Sequence, residues 1–86
     1  MPHIDPNRRT PIARGVDTAL AAIENPGELT YAMYRLAVGY AARNGDARFR
    51  DWMEAHGSLG CAAAELYRLK VGPYEDTAIA RNGVAC

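Results

Sequence analysis

The stretch Glu28-Leu-Thr-Tyr-Ala-Met-Tyr-Arg-Leu-Ala-Val-Gly-Tyr-Ala-Ala-Arg43 decides the fold of this 86-residue chain. At about 100° per residue, one apolar face of a helix collects Leu29, Met33, Leu36, Ala37 and Tyr40. The opposite face carries Glu28, Tyr31, Arg35, Val38 and Ala42. Because this second face is neither plainly polar nor plainly apolar, we expect another protein surface or a ligand to cover it.

The segment before this helix predicts an extended arm and then a first helix. Residues 1–9 are polar and hold two prolines, which favours an arm. Thr10-Pro11 combines a hydroxyl N-cap with proline at the first helical position, so we expect the helix to begin there. Asn25-Pro26-Gly27 is typical of its end. Its apolar residues recur every three or four positions and predict one buried stripe: Ile12, Val16, Leu20 and Ile23.

The segment after the quoted stretch predicts a short third helix. Asn44-Gly45 is typical of the end of the second helix. Asp46 is suited to cap the third helix, which we expect to run to about His56 and to stop at Gly57. The side chains expected to point inward are Phe49, Trp52 and Met53.

A fourth helix is expected from a cap at Ser58 to about Val71, where Gly72-Pro73 breaks it. The core face of this helix would be Leu59, Ala62, Ala63, Leu66 and Leu69. Residues 74–86 then form a C-terminal arm or a short helix that ends at Asn82-Gly83.

Together these signals predict one all-α domain over residues 1–86, a small bundle of about four helices with extended N- and C-terminal arms. A chain this short buries only roughly 60–65% of its unfolded surface. Much of its apolar content is alanine, which adds little buried area per residue. The core is therefore thin, and we expect a homo-oligomer that gains buried area by self-association.

The charges exclude several classes of partner. Ten Lys plus Arg balance ten Asp plus Glu, and the balance holds along the chain. No basic run favours bulk nucleic-acid binding, and no apolar run is long enough to cross a membrane. The N-terminal residues lack the apolar centre of a signal peptide. We therefore expect a cytoplasmic protein with reduced thiols at Cys61 and Cys86.

Two short segments, residues 27–36 and 65–76, place Tyr, Arg and Glu side chains three or four positions apart, which is the spacing of neighbours on a helix. Tyr31 and Arg35 are neighbours on one turn, as are Glu65 and Arg68. Nine of the ten basic residues are Arg, which suits bidentate recognition of phosphate or carboxylate. If the second and fourth helices pack together, the two pairs converge on a ligand. The alternative is intrahelical contacts with a cross-helix salt bridge. The candidate ligand-binding residues are Tyr31, Arg35, Glu65, Tyr67, Arg68 and Tyr74.

Outside these two segments, the sequence contains no recognisable catalytic, metal-binding or cofactor-binding motif. His3 and His56 are isolated from each other and from any nucleophile. Neither they nor the two cysteines show metal-ligand spacing. The glycines mark helix ends rather than a phosphate loop or a dinucleotide fingerprint. We expect no enzymatic activity, no cofactor and no metal.

The segments around Tyr31 and Glu65 resemble those of a family of short, uncharacterised proteins of phages and bacteria. Members typically begin Met-Pro-Tyr-Ile and carry Gly-Glu-Leu-Asn-Tyr followed by Thr-Arg-Leu. Their second half holds Glu-Cys, Glu-Phe-Tyr-Arg-Arg, Pro-Tyr-Glu-Asp and Asn-Gly-Asp. The matching segments here are Met1-Pro-His-Ile4, Gly27-Glu-Leu-Thr-Tyr31, Arg35-Leu36, Cys61, Glu65-Leu-Tyr-Arg68, Pro73-Tyr-Glu-Asp76 and Asn82-Gly83. The resemblance spans nearly the whole chain except residues 41–56, and it implies a phage or prophage origin without an activity.

Three positions depart from the family pattern. Gly60 stands where the family has Glu, Leu69 where it has a second Arg, and Val84 where it has Asp. Any role that the family has at those positions does not transfer. In architecture the chain is also similar to phage anti-defence sponges, short helical homo-oligomers that bind nucleotide-derived immune signals such as cyclic dinucleotides or cyclic ADP-ribose isomers. That similarity concerns architecture and not motifs.

Three functions remain open from the sequence. The first is a phage-encoded binding protein that sequesters a small nucleotide-derived ligand without chemistry. The second is a protein–protein adaptor or inhibitor of a host enzyme. The third is a minor structural component of a virion or of DNA packaging, for which oligomerisation is itself the function.

Overall fold

The structure, a computed structural model, describes residues 4–82, which form three helices and no β-strand. Helix α1 spans Pro6–Ala22 and α2 spans Pro26–Ala41. The third helix, called the long helix below, covers residues 49–82. It consists of α3 (Phe49–Leu66), a π-helical stretch (Tyr67–Val71) and α4 (Gly72–Asn82). The all-α prediction is confirmed, and the prediction of about four helices is wrong.

Helix α1 begins earlier than Thr10-Pro11 because Asp5 provides a better cap. The Asn7 N–H donates to Asp5 Oδ1 at 3.1 Å, and Pro6 occupies the first helical position. Pro11 lies inside the helix, where it removes one i→i−4 hydrogen bond. The predicted arm over residues 1–9 is therefore wrong from Pro6 onward, and residues 1–3 lie outside the described part.

The turn between α1 and α2 is held by two hydrogen bonds. Asn25 caps α2, and its Oδ1 accepts from the Glu28 N–H at 2.9 Å. The Glu28 carboxylate in turn accepts from the Glu24 N–H at 2.7 Å. These bonds satisfy backbone donors at the helix start and fix the direction in which α1 enters α2.

Helices α2 and α3 form an antiparallel hairpin joined by residues 42–48. Gly45 has a φ of 117°, which favours glycine and confirms the sequence signal for a turn here. The cap of α3 is Arg48 and not Asp46, and the Arg48 N–H donates to Asp51 Oδ2 at 2.9 Å. The hairpin buries Ala41 and Ala55, each 7% exposed.

The helix stop predicted at Gly57 is wrong, because α3 continues through it. Ser58 does not cap a new helix. Its hydroxyl donates to the Glu54 carbonyl at 2.9 Å, so the side chain bonds back to the preceding turn. The third and fourth helices of the sequence prediction are one helix.

The break predicted at Gly72-Pro73 is also wrong, and the π-helical stretch explains why. The Gly72 N–H donates to the carbonyl of Tyr67, five residues earlier. Pro73 lacks an N–H, and in an α-helix its ring would crowd the carbonyl of Leu69. The wider π turn makes room for that ring, so the helix continues to Asn82. Residues 83–86 of the predicted C-terminal arm lie outside the described part.

The chain is more open than a compact domain of its size. Its radius of gyration is 16.5 Å, whereas about 12 Å is expected for this length. Among the described hydrophobic residues only Ala41 and Ala55 are buried. The inward orientation predicted for Phe49, Trp52 and Met53 is wrong, since all three are exposed and Phe49 is 78% exposed.

Candidate functional site

A groove of about 440 Å³ lies between the last turns of α1 and the first half of α2. Its position follows from the three-residue turn, residues 23–25, which sets the end of α1 beside the start of α2. The lining residues are Ala19, Ala22, Ile23, Glu28, Tyr31, Ala32 and Arg35. Of the six residues predicted to bind a ligand, Tyr31 and Arg35 line this groove.

The groove combines a guanidinium, an aromatic ring and a carboxylate over small residues. Within residues 4–82, the Arg35 guanidinium makes no hydrogen bond or salt bridge. The Tyr31 ring is exposed, and Glu28 is anchored by its bond from the Glu24 N–H. An arginine in this state can clamp a phosphate or carboxylate, and tyrosine can stack on a planar group.

Glu28 was not among the predicted ligand-binding residues, although a signal for it was present. It lies three residues before Tyr31 and seven before Arg35, on the same second face of α2. The sequence interpretation placed Glu28 on this second face but gave it no role in ligand binding. A carboxylate on the same face as an arginine and a tyrosine is the signal that would have added it to the site.

Glu65 and Arg68 form an ion pair within the long helix. Arg68 Nη2 lies 2.9 Å from Glu65 Oε2 and 3.2 Å from Oε1. The hydrogen bond from Arg68 lowers the pKa of Glu65 below its ordinary value. The Arg68 guanidinium is thus already engaged, which matches the alternative of an intrahelical contact for this pair.

Tyr67 bridges the π-helical stretch. Its hydroxyl donates to Glu75 Oε2 at 3.2 Å, two turns further along. The negative charge of Glu75 and this hydrogen bond raise the pKa of Tyr67 above its ordinary value of 10.0. Tyr74 projects into solvent beside this bridge. Glu75 belongs to the segment Pro73-Tyr-Glu-Asp76, and its hydrogen bond with Tyr67 was not predicted from the sequence.

The two segments, residues 27–36 and 65–76, lie in different places on the molecule. Tyr31 and Arg35 line the groove beside α1, whereas α2 meets α3 through its other face. Glu65, Tyr67 and Arg68 lie at the start of the π-helical stretch. In one chain, the predicted ligand residues therefore form a groove on α2 and a separate cluster on the long helix.

A second groove, of about 240 Å³, lies between α2 and α3. Its lining is almost wholly apolar: Met33, Leu36, Ala37, Tyr40, Ala55, Ser58 and Leu59. The apolar face predicted for α2 supplies most of one wall. With no charged residue in its lining, this groove suits an apolar helix face better than a nucleotide.

Residues 4–82 hold neither a candidate metal site nor a helix that could span a membrane. No group of three or more His, Cys, Asp or Glu side chains there is placed to hold a metal ion. None of the described helices combines the length and the apolar character that crossing a bilayer requires. Cys61 carries an exposed free thiol, and Cys86 lies outside the described residues.

The chain belongs to the family described as a domain of unknown function (DUF6899), whose family model matches residues 1–84. The expectation of an uncharacterised family is thereby confirmed. No curated protein and no solved structure matches the chain. The matched range contains the α1–α2 groove and the cluster around the π-helical stretch.

Proposed function

We propose that this protein binds and sequesters a small nucleotide-derived ligand without chemistry, as a cytoplasmic homo-oligomer. The observation that carries the proposal is the α1–α2 groove, where Arg35 has no partner among the described residues and lies on the same face as Tyr31. An arginine held without a carboxylate partner is available to an anionic ligand.

Each groove residue has a role in this proposal. Arg35 clamps a phosphate of the ligand, and Tyr31 stacks on its base. The Glu28 carboxylate accepts a hydrogen bond from a ribose hydroxyl. Alanines along the floor leave room for a flat group to approach the backbone. The groove volume of about 440 Å³ lies within the usual range for small-molecule sites.

The family resemblance supports a phage origin, and the separate architectural similarity to phage sponges supports a ligand of the immune-signalling class, such as a cyclic dinucleotide or an ADP-ribose derivative. The remaining predicted residues are Glu65, Tyr67, Arg68 and Tyr74. In one chain they lie outside the groove, so in the proposed oligomer they reach the ligand from a neighbouring copy.

Calorimetric titration of the full chain with cyclic dinucleotides and ADP-ribose derivatives tests the proposal. We expect micromolar or tighter binding, and a loss of at least about tenfold in affinity for Arg35→Ala, since a charged hydrogen bond contributes about 1.5–3 kcal/mol. Arg50→Ala is the matched control, because Arg50 is 81% exposed and lies outside the groove, 3.9 Å from Asp51. If no nucleotide of either class binds at micromolar concentration, the proposal is wrong.

A second candidate, a protein–protein adaptor or inhibitor of a host enzyme, is favoured by the exposed apolar surface. Large side chains such as Leu36, Phe49 and Tyr74 face solvent in the single chain. Capture of one host protein at fixed stoichiometry, lost with Tyr31→Ala and retained with Arg50→Ala, would support this function. A capture that recovers no host protein would count against it.

A further inference from the structure

We propose that α1 of a second copy packs into the apolar groove between α2 and α3, so that two chains exchange α1 helices in a symmetric homodimer. This inference specifies the self-association named in the proposed function and does not depend on the nucleotide ligand. It commits the apolar groove to one occupant, a helix of the same sequence.

Helix α1 has an apolar stripe that nothing else within residues 4–82 covers. Ile12, Val16 and Leu20 are 55%, 49% and 58% exposed, and α1 buries none of its residues. These residues repeat every four positions and form one side of the helix. Apolar side chains in this arrangement are stabilised when a second surface removes them from water.

The groove between α2 and α3 has the shape and chemistry to receive such a stripe. Its apolar walls run along two packed helices, which is where a third helix lies in a helical bundle. Leu36, Tyr40 and Leu59 line the groove and remain exposed. A helix with an apolar row at i, i+4 and i+8 fits a groove of this kind.

The chain's own α1 does not occupy this groove. The turn of residues 23–25 is held by the Asn25 cap and by the Glu28 bond to the Glu24 N–H. Those bonds direct the end of α1 to the opposite face of α2, where it forms the α1–α2 groove lined by Tyr31. A second copy is therefore the source of α1 that leaves this turn intact.

The charges of the two surfaces are complementary. Helix α1 carries three arginines, Arg8, Arg9 and Arg14, against Asp17. Helix α3 carries the opposite balance beside the groove, with Asp51 and Glu54 against Arg50, while Glu65 is paired with Arg68. An α1 seated along α3 brings a positive helix beside a negative one, which favours association of different copies.

The exposed area also fits a dimer. The chain exposes 7604 Å², whereas a folded monomer of this mass exposes about 5,000 Å². The difference, roughly 2,600 Å², is comparable to the 1,000–2,500 Å² or so that each chain buries in an obligate homodimer. Exchange of α1 uses both apolar surfaces of each chain at once, and so uses this area efficiently.

Native mass spectrometry and light scattering of the ligand-free chain are the first test. We expect a dimer for the natural sequence and a folded monomer for Val16→Asp, because a carboxylate in the stripe cannot enter an apolar groove. Ala21→Asp is the matched control, since Ala21 lies on the other side of α1. A natural chain that is monomeric at tens of micromolar, or a Val16→Asp chain that stays dimeric, overturns the inference.

A crosslink identifies the occupant of the groove. Val16→Cys and Ser58→Cys are combined with Cys61→Ser and Cys86→Ser, and a short bifunctional maleimide is added. A covalent dimer is expected, and it must be lost when either new cysteine is omitted.

An internally linked monomer would show that the chain's own α1 fills the groove, and absence of any link would show that α1 does not reach it. Either result overturns the inference. Both measurements omit nucleotide, so their failure leaves the titration of the α1–α2 groove unaffected.

Discussion

Helix α1 and the α2–α3 hairpin differ in whether their apolar residues are buried within one chain. The hairpin places Ala41 and Ala55 at its helix crossing, where small side chains let the two backbones approach closely. Helix α1 has larger apolar residues in a regular stripe and buries none of them. An apolar stripe therefore predicts a helix, whereas packing requires a matching surface, and among residues 4–82 of one chain only the hairpin has one.

The largest effect should come from filling the hairpin crossing. In the Val16→Asp background, where exchange of α1 is removed, Ala41→Leu should lower the free energy of unfolding by about 1–3 kcal/mol, because Ala41 is 7% exposed and lines neither groove, so a larger side chain there has no open space to enter. Ala21→Leu in α1 should change it by less than about 0.5 kcal/mol, since Ala21 is exposed and the two residues have similar helix propensity. Urea denaturation measures both. Equal losses would mean that α1 is packed as tightly as the hairpin.

A smaller effect should come from the helix caps. Asn25→Ala removes the bond from the Glu28 N–H and should cost about 1 kcal/mol in global stability. Asp5→Ala removes the corresponding bond from the Asn7 N–H. In the same monomeric background we expect that loss to appear as faster amide exchange in α1 with little change in the urea midpoint. A midpoint shift as large as that of Asn25→Ala would show that α1 unfolds together with the hairpin.

Helix α2 and the turn that follows it could be predicted from sequence because their signals are local. The apolar face around Met33 and Tyr40, the Glu28 charge and the Asn44-Gly45 turn all act within a few residues of one another. The start of α1 was missed for a related reason. Two caps compete there, and Asp5-Pro6 begins a longer helix than Thr10-Pro11.

The continuity of the long helix could not be predicted from the same rules. Gly57 inside a helix lowers its stability by only about 0.5–1 kcal/mol, which neighbouring turns of good helix formers such as Ala62 to Ala64 offset. At Pro73 the helix widens instead of ending, and it does so through a bond between Gly72 and Tyr67. Glycine and proline signals predict a perturbation of the helix and do not say which form it takes.

The candidate site was predictable only in part. The pairing of Tyr31 with Arg35 follows from helical spacing, as does the Glu65–Arg68 ion pair. The groove itself depends on the angle between α1 and α2, which the Asn25 turn sets and no periodicity encodes. The expected convergence of the two pairs depended on which face of α2 meets α3, and that too is a tertiary property.

Replacing two glycines of the long helix should separate its ordinary and π-helical parts. Gly57→Ala should raise the free energy of unfolding by about 0.5–1 kcal/mol, because a Cβ there meets open space. Gly72→Ala should gain less, because its Cβ would lie 3.2 Å from the Tyr67 carbonyl oxygen. Urea denaturation compares the two. An equal gain at both positions would mean that the π-helical stretch is no tighter than the middle of α3.

The smallest effect should be a shift in the pKa of Tyr67, whose hydroxyl bonds to a side chain two turns away, a kind of bond that α1 lacks. In α1 the Thr18 hydroxyl bonds to the carbonyl of Arg14 in its own turn, at 3.0 Å, whereas Tyr67 reaches Glu75 across the π-helical stretch. The raised pKa of Tyr67 means that the neutral phenol is favoured in the folded state. The stabilisation is therefore fully present below the phenol's ordinary pKa and is lost as the pH rises through the raised value. Glu75→Gln removes the charge and should let Tyr67 ionise at lower pH.

Ultraviolet titration of tyrosinate measures this shift, and subtracting the titration of Tyr67→Phe isolates the one phenol among five tyrosines. Asp76→Asn is the matched control, since Asp76 contributes least among the causes of the raised pKa. Its titration should stay close to that of the natural chain. If Glu75→Gln leaves the Tyr67 titration unchanged, the bridge does not persist in solution. The π-helical stretch would then be held by its backbone hydrogen bonds, including the one from Gly72 to Tyr67, which makes the Gly72→Ala comparison the deciding measurement for this part of the long helix.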